Sequence, residues 1–226
     1  MLARRFGQRF GLLRPAVRFF RRLFRLSYES EFDKEMMRHI KSSEIVWDIG
    51  ANIGFFTTKF ADAVGPTGFV IAYEPTVNTY NTLFNNCKSH KNVACKNIGL
   101  SNKSGSFSFR DSGIPNDPTN GLVAESTPGS IKIEILTGDE LIANHSIPIP
   151  SAIKIDVEGF ELEVLQGMKM LLRDQFLRKL FIEVHFFEMN QRGLKDGPRD
   201  IVKTLSDAGF CVKWIDPSHI ISLRDV

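Results

Sequence analysis

Acidic residues recur where β-strands are predicted to end: Asp48, Glu74, the pair Asp156 and Glu158, and Glu183 followed by His185. Asp48 opens a glycine turn, Asp48-Ile49-Gly50-Ala51-Asn52-Ile53-Gly54, in which Gly50 and Gly54 let the backbone approach a ligand closely. Glu74 lies twenty residues beyond Gly54, the separation at which a carboxylate ending the second strand reaches a ribose diol. Asp156, Glu158 and His185 are a different set. An imidazole with an ordinary pKa near 6.5, or a carboxylate, takes up a proton at neutral pH, so these three are the candidates for general-base work. Plainer roles stand beside these: Glu158 offsetting a helix dipole, His185 as a hydrogen-bonded histidine at a strand end, and Lys154 pairing with Asp156.

A glycine turn with a ribose acid suits a nicotinamide dinucleotide or S-adenosylmethionine. A pyrophosphate loop is built as G-x-G-x-x-G at a helix N-terminus. Here the glycines are four apart, Ala51 and Asn52 lie between them, and Asp48 precedes the first. An acid in that place suits a cofactor with a cationic amino-acid end, which favours S-adenosyl-L-methionine. An NAD-dependent oxidoreductase is the alternative, and a non-catalytic scaffold that keeps the pocket is a third reading.

These side chains need elements that deliver them to one edge. Apolar runs predict strands at 45–49, 69–73, 93–96, 152–157, 180–185 and 210–215, with 220–223 as a further edge strand. Helical spacing predicts a lead-in helix over 31–40, then helices over 55–64, over 77–87 with Tyr80, Leu83 and Phe84 inward, from 160 onward, and over 200–208. Such alternation predicts an α/β, doubly wound, mainly parallel Rossmann-like sheet in one domain over 31–226, with ligands at the strand carboxyl ends. The alternation breaks after residue 100. Phe107 and Phe109, then Ile131, Ile133 and Ile135, alternate with polar residues and predict an inserted β-hairpin. Arg110 to Ser130, rich in Gly, Pro, Asn, Asp and Ser, is expected to be a lid loop over the site.

Residues 48–54 resemble the first motif of class I methyltransferases in the form found in the FkbM family. Tyr73-Glu74-Pro75, Asn97-Ile98-Gly99-Leu100-Ser101 and Glu183-Val184-His185 resemble that family's endings of strands 2, 3 and 5. Lys154-Ile155-Asp156-Val157-Glu158-Gly159-Phe160-Glu161 is similar to its most distinctive segment. The likeness runs in order over about 45–215. It implies S-adenosylmethionine-dependent methyl transfer, with O-methylation of a hydroxyl on a glycan, lipid or small metabolite. It also implies that Gly50, Asn52 and Gly54 shape the turn under the methionine part. Asp48 orients that turn or faces the amino group through water, Glu74 holds the ribose, and Ser101 lies by the adenine. Asp156 then stands nearest the transferred methyl. Alignment of the reactants is worth up to roughly 7–11 kcal/mol, and a base on a hydroxyl acceptor about 10²–10⁴ in rate.

The rest of the composition narrows the surroundings. Residues 1–28 hold eight arginines and no acid, interleaved with Phe, Leu and Val. The segment 1–30 is therefore a basic amphipathic piece that fits an anionic membrane surface, a helix packed on the domain, or a basic tail. Beyond it acids outnumber bases, which argues against a nucleic-acid surface. Three scattered cysteines and no clustered histidines point to reduced thiols in the cytoplasm and to no metal.

Overall fold

Strand β1 (Ile45–Ile49) has Val46, Trp47 and Ile49 almost fully buried, as a strand covered on both faces must. It is an interior strand of a seven-stranded sheet in the computed structural model, which describes residues 31–110, 121–122, 127–145 and 147–224. Before it comes helix α1 (residues 31–39). After it come α2 (Phe55–Val64), β2 (Phe69–Tyr73), α3 (Val77–Cys87) and β3 (Val93–Lys96). Then follow β4 (Gly99–Leu100), β5 (Gly105–Arg110), β6 (Gly121–Leu122), β7 (Ile131–Leu136), α4 (Gly138–His145) and β8 (Ala152–Ile155). The chain continues through α5 (Glu161–Gln166), β9 (Lys179–Glu183), α6 (Phe186–Gln191), α7 (Gly197–Asp207), β10 (Cys211–Trp214) and β11 (His219–Leu223).

The strand order is β10-β11-β9-β8-β1-β2-β3. Strands β3, β2, β1, β8 and β9 run parallel, and β11 is antiparallel to both its neighbours. The period of two divides the core. Val46, Val70, Ala152 and Phe181 pack with Phe32, Met36 and Phe60 of α1 and α2. Trp47, Ile71, Ile153 and Leu180 face Leu162, Val164, Ile201 and Leu205 of α5 and α7. The chain turns away from β1 in opposite directions to reach β2 and β8, so the crevice at a switch point opens at their carboxyl ends.

The inserted hairpin is β5 against β7, with Phe107 opposite Ile133, and it lies in a separate four-stranded sheet ordered β4-β7-β5-β6. Gly99 and Leu100 do not extend β3; they pair with Ile135 and Leu136 of β7. Two further features depart from the sequence expectation. Residues 220–223 are no edge strand: β11 is inserted between β9 and β10, with Ile220 and Ser222 fully buried. Phe84 turns outward, 55% exposed, because Leu83 and Cys87 take the inner stripe of α3. Helices α4 and α6 are additional to those expected. Most of the expected lid, 111–120 and 123–126, and the whole basic segment 1–30 lie outside the described residues. Among the described residues no helix is long and apolar enough to cross a membrane.

Candidate active site

The glycine turn leaves β1 and is pinned to the end of β2. The N–H groups of Gly50 and Ala51 both donate to the Tyr73 carbonyl, at 3.1 and 3.0 Å. Gly50 has φ +75°, and a Cβ there would sit 1.9 Å from the Asp156 carbonyl oxygen, so only glycine lets the turn rest against the end of β8. Asn52 is also left-handed, at φ 52°, a conformation asparagine tolerates better than most residues. Its N–H donates to Glu74 Oε2 at 3.2 Å. Glu74 Oε1 accepts from the Thr76 N–H and hydroxyl at 3.0 and 2.8 Å. The ribose candidate is thus held in one orientation beside the turn, and Gly54 closes the turn against Leu83 of α3.

Asp48 lies beneath this turn and is fully buried. Its Oδ2 accepts from the Thr57 hydroxyl at 2.6 Å, and its Oδ1 from Lys154 Nζ at 3.2 Å. The two charged residues face each other in the β1–β8 register. Lys154 Nζ also donates to the Gly50 carbonyl at 3.3 Å and lies 3.6 Å from Asp156 Oδ2. Burial works against its charge, but Asp48 and Asp156 prevail and raise its pKa. One ammonium therefore ties the turn to the carboxylate at the end of β8.

Asp156, Glu158 and His185 converge. His185 Nε2 lies 3.2 Å from Glu158 Oε2, 3.8 Å from Asp156 Oδ1 and 3.9 Å from Glu183 Oε1. Its Nδ1 is 2.7 Å from Glu161 Oε1, which also accepts the Gly159 N–H at 2.9 Å. Glu158 and Gly159 are both left-handed, at φ 51° and 96°. For a glutamate that conformation costs roughly 1–3 kcal/mol, and here it accompanies a carboxylate placed against His185.

The environment separates the proton affinities. Burial raises the Glu158 carboxyl to about 7; His185 pulls it down, while Asp156, Glu183 and Glu188 push it up. The Glu158 side chain is 42% exposed, so solvent meets it on one side and the crowding acts from the other. Burial would lower His185, but Glu158, Glu161 and Glu183 outweigh it and hold its pKa well above 6.5. Near neutral pH Glu158 is thus poised to titrate beside an imidazole whose acidic neighbours favour its protonated form. Asp156, Glu158 and His185 each bring one ligand atom within 4.8 Å of the others, a spread that a hard divalent cation spans.

Ser101 is held through its backbone. Its N–H bonds the Leu136 carbonyl at 3.1 Å, and its own carbonyl packs on Gly167, whose Cβ would meet it at 2.0 Å. Sequence reasoning missed Thr57, Thr76 and Glu161 as residues that orient Asp48, Glu74 and His185. Thr76 carried a local signal, a hydroxyl two residues after an acid. Thr57 did not, because nothing local says that a helical threonine faces a buried aspartate.

The FkbM methyltransferase domain matches residues 48–212. The chain belongs to the FkbM methyltransferase family. It is 34% identical over 181 residues to the hexuronic acid methyltransferase AglP of Haloferax volcanii, across 80% of this chain and 69% of that one. The crystal structure of an FkbM methyltransferase from Methylobacillus flagellatus superposes with a TM-score of 0.51 at 18% identity. It covers 80% of this chain, which spans only 43% of that protein. A precorrin-6y C5,15-methyltransferase from Geobacter metallireducens, 12% identical, gives a TM-score of 0.50 over 88% of both chains. These last two establish the shared class I fold. The cofactor of the family is S-adenosylmethionine, and the pinned turn with its oriented Glu74 fits it.

Proposed function

We propose that this FkbM protein transfers a methyl group from S-adenosylmethionine to a hydroxyl of a sugar in the hexuronic acid class, within a glycan. The observation that carries this reading is the meeting of Glu158, His185 and Asp156 at the strand ends next to the cofactor turn. The similarity to AglP, named for hexuronic acid, supplies the sugar class.

The bound cofactor supplies an electrophilic methyl on a sulfonium. Gly50, Asn52 and Gly54 carry the turn under its methionine part, Asp48 and Lys154 orient that turn from beneath, and Glu74 accepts the ribose hydroxyls. Ser101 is the adenine-side candidate. Glu158 is the proton acceptor for the sugar hydroxyl, because a group titrating near 7 combines availability with driving force at neutral pH. His185 keeps its proton and balances Glu158 and Asp156, and Glu161 fixes its ring. Asp156 stands beside the reacting oxygen. The surplus of carboxylates favours a neutral hydroxyl acceptor over the sugar's own carboxylate, which would add like charge.

Product chemistry tests the reading. Full-length protein, radiolabelled S-adenosylmethionine and a glucuronic acid glycoside should yield a methyl group that survives mild alkali, as an ether does. Label released by alkali would mean a methyl ester and would overturn the hydroxyl assignment.

A further inference from the structure

Away from the charged cluster, the cofactor turn rests on a pair of thiols. Lys154, Asp48, Ala72 and Cys95 are register partners across β8, β1, β2 and β3, so the four share one face of the sheet. Ala72 carries only a methyl and stands between Asp48 and Cys95 in that row. Helix α3 covers this end of it: Leu83 and Cys87, both buried, pack with Ala51 and Ala72, and Cys95 lies against them. The Cys87 and Cys95 side chains hydrogen-bond to each other, and both are free thiols. The last turns of α3 also shape the cofactor turn. A Cβ on Gly54 would meet Leu83 Cδ1 at 2.9 Å and Cys87 Sγ at 3.2 Å. Asn86, the residue before Cys87, donates its Nδ2 to the Ile53 carbonyl at 2.7 Å.

We propose that Cys87 and Cys95 are a site of reversible oxidation by peroxide, and that their disulfide weakens S-adenosylmethionine binding. The inference goes beyond the acceptor reading and uses the cofactor turn alone. Cys95 is partly exposed and Cys87 only 3% exposed, so peroxide meets Cys95 first. The hydrogen bond from Cys87 lowers the Cys95 pKa against burial and Asp48, while the same bond, burial and Asp48 raise Cys87. Cys95 is therefore the attacking thiolate. Its sulfur bonds one peroxide oxygen as the O–O bond breaks, and the hydroxide released takes up the former thiol proton as water. The Cys87 sulfur then displaces hydroxide from the Cys95 sulfenic acid, and the Cys87 proton turns that hydroxide into a second water. Two thiols and one peroxide become one disulfide and two waters. The new bond draws the sulfurs closer than a hydrogen bond holds them. The end of α3 shifts with Cys87, and Gly54 and the Ile53 carbonyl lose the surface that sets their place in the turn.

Hydrogen peroxide treatment of the full-length protein, quenched with catalase, tests this. Intact mass should fall by two hydrogens, and peptide mapping without reductant should join the peptides of Cys87 and Cys95. Calorimetric affinity for S-adenosylmethionine should then weaken by about two- to tenfold, the scale of one lost hydrogen bond, and dithiothreitol should restore it. By linkage, saturating cofactor should bias the thiol–disulfide equilibrium toward the dithiol by the same factor. Cys95→Ala should keep its affinity through the treatment; if that variant is too unstable to measure, Cys87→Ala takes its place. Cys211→Ser, which removes the exposed thiol on β10, should respond as the wild type does. A folded protein that gains oxygen without the Cys87–Cys95 link would overturn the proposal. So would a link that leaves cofactor affinity unchanged, an equal loss of affinity in Cys95→Ala, or a loss that comes with unfolding in circular dichroism. No acceptor enters these measurements, so their outcome is separate from that of the sugar reading.

Discussion

The two halves of the crevice are held in opposite ways. At the ends of β1 and β2, Asp48 has each carboxylate oxygen matched to a donor, Glu74 is fixed by Asn52 and Thr76, and backbone hydrogen bonds set the turn. At the ends of β8 and β9, several carboxylates share one imidazolium and one ammonium, and Glu158 accepts a strained backbone to join them. A satisfied, backbone-defined half suits a cofactor that must bind in one pose. A charge-crowded half holds a group whose proton is easily moved. Low dielectric strengthens both arrangements, stabilising the first and shifting proton affinities in the second.

The largest blow to this contrast should come from Lys154, a side chain that joins the halves. Lys154→Met leaves Asp48 buried without its counter-charge, and stability should fall by about 3–5 kcal/mol in a denaturant titration. A smaller loss would mean that the halves are held together elsewhere. Glu158→Gln should divide them cleanly, lowering kcat by about 10²–10⁴ while calorimetric affinity for S-adenosylmethionine stays near wild type. Equal losses in both would place Glu158 in cofactor binding. Glu74→Ala should do the reverse, weakening cofactor affinity by about 1.5–3 kcal/mol with saturated turnover less affected.

The pH dependence is milder and has two signs. Below its value near 7 the Glu158 carboxyl is protonated and cannot accept, so turnover should drop about tenfold per pH unit on that side; a flat profile would remove Glu158 as base. Stability runs the other way. Glu158 and His185 both have raised folded values, so the native state binds more protons than the unfolded chain. Their contribution is full at low pH. It is lost as pH climbs through about 7 for Glu158, and above 6.5 through the folded value for His185. Melting temperatures across pH 5 to 8 should therefore fall as activity rises. The smallest effect expected is from dialysis against EDTA, which should leave turnover unchanged. Loss restored by a divalent cation would show that a metal replaces the His185 proton.

The same contrast explains what could be read in the chain. Gly50, Gly54 and Glu74 could be singled out because backbone geometry forces the residue type in the turn and the partners of Glu74, Asn52 and Thr76, lie within a short stretch. Asp156, Glu158 and His185 could be collected as strand ends, yet their proton affinities could not. An isolated histidine suggests a base near 6.5, and only the convergence of Glu158, Glu161 and Glu183 raises its proton affinity against the effect of burial. Helix α4 left little trace in the sequence because its apolar residues are few. The placement of β11 escaped for a different reason: strand order within a sheet leaves no mark on a single run such as Ile220 to Leu223.

That placement has a consequence for how the protein is made. Since β11 sits between β9 and β10, β10 cannot join the sheet, and β9 is paired on its β8 side alone, until residues 219–223 have left the ribosome. Until then β9, which carries Glu183 and leads to His185, is a bare edge with unsatisfied amides. The cofactor half is complete after β2 and β8 are synthesised, whereas the acceptor half waits for nearly the last residues of the described fold. The nascent chain should thus acquire its donor pocket before the groups that would use it, and stalled or shortened products should display an open, sticky strand at the chemical end of the crevice.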